Sequence, residues 1–565
     1  MPSIPFPVPT PELLEVPMSD GAVLSVLRYP ASGRPAPAVV VITPYRKESP
    51  MHMELLQVPV REGYEVLIAD VRGIGGSSGP YDGVLSPREV DDGVELLEWA
   101  AGQDFCDGRT AMIGGSYSGL NQLLIGARRP RGLRCIAPWI APTDFYRDMW
   151  KRGGIPSHTA WGARVFLSCQ REETQRQGLR HFYGEIVGER FDTELFHRST
   201  PDLSAIEVPA LFLGGWYDYF LRGTVRGFQA ATCPKRLVVG PWSHEPFLSD
   251  EQRRELAAWL NHWLRGEGPD PTTPGANVSL SCVGTDDWET RGDWPATGDI
   301  AWIRWRPVED ARTIPIVPAL TCTPPPPPSN VDLMVDLITD SGMRLWGETA
   351  AFDLPPAERP ARFLGPVGLT AVLEAEGCSD FDLHARVSVV RRDGQAHPLT
   401  EGRLRASHRA VDTVRSLLGP DGEIVVPWHA HATGEPVPSR TPVTLHVEIY
   451  PVHVRLDAGE RLRVGLTLAR ADESAAPAQA TLLPGTTVLL PGRTTPNELT
   501  ASQGAPSAQS TAPTSSAATT HSAASAQGAT SVQGAAPAQG AATTHSAAAG
   551  QGATSVQGAA SAQGA

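Results

Sequence analysis

Four short apolar runs in the first 140 residues, interleaved with a helical pattern, restrict what this chain can fold into. Residues 38–42 (AVVVI), 64–69 (YEVLIA), 110–113 (TAMI) and 134–140 (RCIAPWI) lack the polar alternation of half-exposed strands, so they suit strands covered on both faces. Between the second and third lies SPREVDDGVELLEWAAG, where Ser86 can cap a helix and Pro87 suits its first position. Glu89, three residues after Ser86, is expected to close a capping box. Val90, Val94, Leu97 and Ala101 then recur at helical spacing and make one apolar face. Strands alternating with helices imply parallel pairing, so the chain opens with an α/β domain.

The same rhythm resumes after residue 200. Residues 210–214 (ALFLG) and 236–240 (RLVVG) suit strands, and 224–231 and 251–265 suit helices. The stretch between the halves, 144–203, is mixed, mostly helical in pattern and rich in Trp, Phe and Tyr. An insertion there sits over the C-terminal edge of the sheet, where open α/β sheets bind ligands, and is expected to form a cap. From 275 to 495 the texture changes to short alternating segments such as ARVSVV, VTLHVEIY and RLRVGLTLA between Gly, Pro and Asp turns. That pattern indicates an all-β jelly roll, with the proline run 324–328 marking an exposed loop. Residues 496–565 are almost entirely Ala, Ser, Thr, Gln, Gly and Pro, and repeat THSAA at Thr520 and Thr544. Such a segment cannot bury enough apolar surface to offset its ordering entropy and is expected to be disordered. The expected divisions are therefore 12–143 and 204–274 for the two halves of the α/β domain, 144–203 for the cap, 275–495 for the jelly roll and 496–565 for the tail.

Several function classes drop out on composition. The 565 residues carry a formal charge of −14, which argues against nucleic acid, whose phosphates need a basic surface. No run approaches the roughly 20 apolar residues of a membrane span, and the proline-rich start, MPSIPFPVPTPELLEVPM, does not have the pattern of a signal peptide. A cytoplasmic protein with no membrane partner is expected. The seven cysteines are scattered without a C-x-x-C pair, which suits reduced core thiols. GIGGSSG at 73–79 follows a strand but fails the dinucleotide fingerprint, because Ser78 stands where the third glycine belongs. WHAH at 428–431 puts His429 and His431 on one face of a possible strand, but without a third ligand nearby no metal is expected.

The most informative short stretch is MIGGSYSGL, 112–120. Ser116 follows a buried-strand signature and precedes the helical pattern LNQLLIGARR, the strand–turn–helix setting of a nucleophile elbow. The common G-x-S-x-G spacing is not met, since Ser118 comes second after the serine and Gly119 third. A serine hydroxyl needs a base, and the base an orienting carboxylate. Asp218 in LFLGGWYDYF and His244 in RLVVGPWSH each fall just past a strand end, in the order Ser, Asp, His and at the sheet edge that carries Ser116. The Tyr117 amide, at a helix N-terminus, can supply one oxyanion donor, and Tyr45 in VVVITPYRK can supply another.

Together TPYRK (43–47), ADVRGIGGSSG (69–79), GGSYSG (114–119), GGWYD (214–218) and GPWSH (240–244) resemble the α/β-hydrolase family of cocaine esterase and X-prolyl dipeptidyl aminopeptidase, which also includes α-amino acid ester hydrolases. In that family G-x-S-Y-x-G is the regular form. LTEGRLRASHR (399–409) and PVHVRLDAGERLRVGL (451–466) resemble its C-terminal jelly roll. The resemblance implies Ser116 as nucleophile, Asp218 and His244 as its relay, and Tyr45 with the Tyr117 amide as oxyanion hole. It implies no cofactor.

The function expected is a serine hydrolase that cleaves carboxylic esters of small molecules through an acyl-enzyme, and a homodimer is left open. The apolar rings of Trp150, Trp161 and Phe166 in the cap, and Phe220 beside the acid, are candidates for the substrate pocket. The alternative is X-Pro dipeptidyl-peptidase or α-amino acid ester hydrolase/amide acylase activity, and for a peptidase or α-amino ester hydrolase Glu48, Asp144 and Asp148 are candidate partners of a substrate ammonium. A non-catalytic, carbohydrate-binding protein is a third and weaker reading.

Overall fold

The computed structural model describes residues 9–33, 35–156, 185–186, 188–244, 248–295, 300–318, 348–472, 474 and 476–492. Every residue of Ala36–Thr43 (β3) and Glu65–Asp70 (β4) is buried, which is what unalternating apolar runs require of a sheet covered on both faces. Glu65 is tolerated there because Arg28 holds both its oxygens, at 2.9 and 3.1 Å. The strands before and after are Glu12–Pro17 (β1), Val23–Tyr29 (β2), Cys106–Gly115 (β5) and Leu133–Trp139 (β6). A small hairpin, Lys151–Arg152 (β7) with Ile155–Pro156 (β8), stands outside the sheet. Ala210–Gly215 (β9), Lys235–Gly240 (β10), Val278–Ser281 (β11) and Trp288–Arg291 (β12) complete it. The order is β1-β2-β4-β3-β5-β6-β9-β10-β11-β12, parallel from β4 to β11 and antiparallel at both edges. The parallel run puts the C-terminal ends of β3, β5, β9 and β10 on one edge.

Helices cover the faces: Met53–Arg61 (α1), Pro87–Ala101 (α2), Tyr117–Gly126 (α3), Leu221–Ala230 (α4) and Asp250–Arg265 (α5). Ser86 caps α2 as expected, accepting from the Glu89 amide at 3.2 Å. The Glu89 side chain does not complete the expected box. Its carboxylate is turned inward to Tyr117 and Asn121 of α3, because burial of the first turn of α2 against α3 offers better donors there.

Two expectations change. The first sheet does not stop at 274: β11 and β12 add two strands beyond it, and in the loop between them Val283 N–H donates to His453 O at 2.8 Å. The described part of 144–203 is not a run of helix. It is one wide helical turn, Phe145–Trp150, the β7–β8 hairpin and a short turn, Glu194–His197. Of its described aromatics, Phe145 meets Trp150 and Tyr146 meets Phe196 edge to face, Phe145 lies tilted against Phe196, and all four are buried, so these rings serve packing. Trp161 and Phe166 lie outside the described residues, as do the proline run and the tail.

The C-terminal strands form a second sheet that closes on itself. Ala361–Glu376 pairs with Val443–Leu456 on one side and with Ala478–Leu482 on the other. From Ala478–Leu482 the ring runs through Arg312–Val317, Arg461–Arg470, Phe381–Val390 and Ala396–Arg405, and returns to Val443–Leu456 where Gly402 meets Ile449. Phe381, Leu383, Val447, Val464 and Leu466 fill its interior. Arg222 of α4 ties this domain to the first, reaching Glu448 at 2.9 Å and Asp148 at 2.6 Å. WHAH is not a strand. His429 sets its ring nitrogens against the carbonyl oxygens of Ala410 (3.0 Å) and His446 (2.8 Å), and His431 turns to His408.

Candidate active site

β5 ends at Gly115 and α3 begins at Tyr117, so Ser116 occupies the corner between them. Its φ of 57° and ψ of −120° lie outside the regions a residue with a side chain ordinarily adopts, at a cost on the order of 1–3 kcal/mol. The corner is held by backbone bonds: Ser116 N–H donates to Trp139 O, and Ser116 O accepts from the amides of Gly119 and Leu120, each at 3.0 Å. The small neighbours have a packing reason. A Cβ on Gly114 would lie 2.6 Å from Ser118 Cβ, and one on Gly119 would lie 2.6 Å from Ala141 Cβ. Ser118, where the commoner pattern has glycine, donates its hydroxyl to Ile42 O at 2.8 Å and so ties the corner to β3.

The loops after β9 and β10 are laced together. Trp216 N–H donates to Gly240 O at 2.9 Å and Tyr217 N–H to Trp242 O at 3.1 Å. This brings Asp218 and His244, 26 residues apart, to an Nδ1–Oδ1 distance of 2.7 Å. A carboxylate only accepts, so Nδ1 carries the proton and Nε2 is left as the acceptor. Nε2 lies 3.1 Å from Ser116 Oγ, which donates to it. Asp218 is buried, and the His244 ring is flanked by Tyr219 at 4.1 Å and, edge on, by Phe220 at 5.3 Å between centroids. The arrangement can pass the serine proton to the imidazole while the carboxylate fixes its tautomer.

Tyr45 sits half-buried after β3, on a loop held from below. Its amide donates to Thr43 Oγ1 at 3.0 Å, and Lys47 grips Asp70 through its amide (2.7 Å) and its ammonium (2.8 Å). The GIGGSSG turn wraps the same carboxylate, with Gly76 N–H donating to Asp70 at 2.9 Å. The ring of Tyr45 meets that of Tyr117 edge on, at 6.3 Å and 71°. Ser116, Asp218 and His244 thus converge, with Tyr45 and Tyr117 adjoining. Trp150 does not join them, being packed against Phe145 in the core. Phe220 is also buried and meets the His244 ring edge on. Two neighbours escaped the sequence reading. Tyr219, one residue past the acid, lies tilted against the His244 ring, and the buried guanidinium of Arg152 lies 5.5 Å over the Tyr219 ring. Only the aromatic flank of Asp218 could have pointed to the first, and nothing local to the second.

An open, mostly parallel sheet in this strand order, with a serine raised on a strained corner at its C-terminal edge, defines an α/β-hydrolase. Comparison with known proteins gives the narrower placement. Residues 20–246 match the model of the X-Pro dipeptidyl-peptidase (S15) family, and residues 270–469 match the X-Pro dipeptidyl-peptidase C-terminal non-catalytic domain. Cocaine esterase from Rhodococcus sp. (strain MB1 Bresler) is 28% identical over 346 residues, an alignment that spans 50% of this chain and 59% of that enzyme. A CocE/NonD family hydrolase from Staphylococcus aureus superposes with a TM-score of 0.67 at 18% identity, covering 85% of this chain and 93% of the other. An α-amino acid ester hydrolase superposes with a TM-score of 0.69 at 17% identity, covering 86% and 96%. The chain belongs to the CocE/NonD-type family of serine hydrolases. No helix among the described residues is long and apolar enough to cross a membrane.

Proposed function

We propose that the chain cleaves carboxylic esters of small molecules through an acyl-enzyme, with Ser116 as nucleophile, His244 as base and then acid, and Asp218 as the group that orients His244. The observation that carries this is the continuous relay from Asp218 Oδ1 through His244 to Ser116 Oγ, at 2.7 and 3.1 Å. In the first step the serine oxygen bonds to the ester carbonyl as its proton passes to His244 Nε2. The tetrahedral anion is met by the Tyr117 amide and Tyr45, and the imidazolium then protonates the departing alkoxide. Water repeats the sequence to release the acid.

Peptidase or α-amino ester hydrolase activity is the second reading, on the family's own breadth. It needs a carboxylate available to a substrate ammonium. Glu48, Asp144 and Asp148 already face Lys47 (2.7 Å), Arg147 (2.9 Å) and Arg222 (2.6 Å), which favours the ester. The test is hydrolysis of a series of p-nitrophenyl acyl esters and of an X-Pro-p-nitroanilide by the wild type and by Ser116→Ala. Ester turnover that vanishes in the variant, with no anilide cleavage, is expected. Anilide cleavage moves the chain to the second reading, and turnover surviving in the variant removes Ser116 as nucleophile.

A further inference from the structure

The first turn of α2 carries a carboxylate that capping does not account for. Glu89 is 4% exposed, and both its oxygens are taken by α3. Oε2 accepts from the Tyr117 hydroxyl at 2.6 Å, and Oε1 accepts from Asn121 Nδ2 at 2.7 Å. The Tyr117 oxygen also accepts from the Leu85 amide at 3.0 Å, so the phenol is gripped from two sides. Among the described residues no cation pairs with Glu89. The nearest acid, Asp92, has its own partner in Arg72 at 2.7 Å. Burial pushes the Glu89 carboxyl up to about 7, although the bonds from Tyr117 and Asn121 oppose it. A buried acid without a counter-ion weakens a fold unless its hydrogen bonds are good. Here both side-chain donors that serve it lie on the helix that starts at Ser116.

We propose that Glu89 is a positioning residue of the oxyanion hole: through the Tyr117 hydroxyl it fixes the first turn of α3 so that the Tyr117 amide faces the developing oxyanion. The inference rests on Ser116 being the nucleophile. The amide in question joins Tyr117 to Ser116, whose dihedrals are strained and would relax if the first turn could rotate. Tyr117 cannot rotate about its backbone while its far end is pinned to α2. Tyr45 leans on the same ring, so one carboxylate indirectly sets both donors. A donor displaced by a fraction of an ångström loses most of its value, because electrostatic stabilisation of a transition state depends on preorganised geometry.

The experiment is a double-mutant cycle on p-nitrophenyl ester turnover, with Glu89→Ala, Tyr117→Phe and the pair together, and Ser116→Ala run alongside. Each single variant is expected to lower kcat about 100-fold, near the loss for one oxyanion donor, with KM within about threefold. The pair is expected to lose no more than the worse single variant, since both cut one connection. Affinity for phenylboronic acid, whose tetrahedral adduct mimics the intermediate, should fall in step with kcat. Glu89→Gln should recover turnover to within about fivefold of wild type, because its amide oxygen still accepts from Tyr117. Asn121 can turn its Oδ1, which has no hydrogen-bond partner among the described residues, toward the new amide. If Glu89→Ala does not fold, Glu89→Gln and Tyr117→Phe alone decide the matter. Unchanged kcat in Tyr117→Phe, additive losses in the cycle, or a loss carried in KM overturns the proposal. Turnover surviving in Ser116→Ala instead removes the nucleophile on which it rests.

Discussion

His244 and the pair His408–His431 show how the surroundings, more than the residue type, decide what a histidine does. His244 lies between an acceptor and a donor, Asp218 on one nitrogen and Ser116 on the other, at a strand-end loop. His408 and His431 meet each other instead, Nδ1 to Nδ1 at 3.0 Å, where the hydrolase layer, the cap and the jelly roll touch. Phe191 stacks on His408 and the Tyr146 ring flanks His431. The charges nearest them are cationic: Arg405, Arg190 and Lys151 around His408, and Arg147 and Arg222 around His431. Burial first, and those cations second, push His408 down to about 4 and His431 well below the ordinary imidazole range. A neighbouring carboxylate and an open edge make a proton carrier. A buried seam among arginines makes a neutral packing element.

The largest effect that separates the two settings is on turnover. His244→Ala should lower kcat about 10⁴-fold or more with little change in melting temperature, whereas His431→Ala should lower the melting temperature and leave kcat within a few-fold. Paired ester kinetics and thermal melts check this, and a reversed outcome would break the comparison. Next comes the ion pair beside the seam. Arg222 and Arg226 hold Glu448 down at about 2 in spite of its burial. Glu448→Gln leaves buried arginine charge facing a neutral amide and should cost about 3 kcal/mol, read as a shifted urea midpoint at pH 7. The smallest effect is in pH. Above pH 6.5 both folded and unfolded chains hold these histidines neutral. As pH falls to about 4.5 the unfolded chain takes up protons that folded His408 refuses, so stability is lost across that window, about 2 kcal/mol for this residue. Denaturation at pH 7, 5.5 and 4.5 should show a decline that His408→Gln flattens. A decline of the same size in the variant assigns it to other groups.

Much of the site was legible because its parts are local. Strand-end placement follows from short apolar runs, so Ser116, Asp218 and His244 could each be assigned to the same sheet edge before their distances were known. The family resemblance rested on the same short motifs. Less legible was what depends on partners far along the chain. Glu89 has the spacing of a capping box, yet its carboxylate turns to Tyr117 and Asn121, which lie 28 and 32 residues away. Trp150 and Phe220, pocket candidates as isolated aromatics, are both buried, Trp150 against Phe145 and Phe220 against His244, contacts that no local pattern announces. The boundary at 274 was drawn on a change of texture, but β11 and β12 still pair with the first sheet.

The sequence by itself determined the plan of an α/β domain followed by an all-β one, the sheet edge that carries the chemistry and the order of the residues upon it. Those follow from hydrophobic periodicity and turn chemistry, which act over a few residues. Only the tertiary structure decided which side chains face one another: Glu89 with Tyr117, Tyr219 with His244, Arg222 with Glu448, His408 with His431. The physical reason is that a buried polar group must find a partner wherever the fold brings one, and sequence distance does not limit that search.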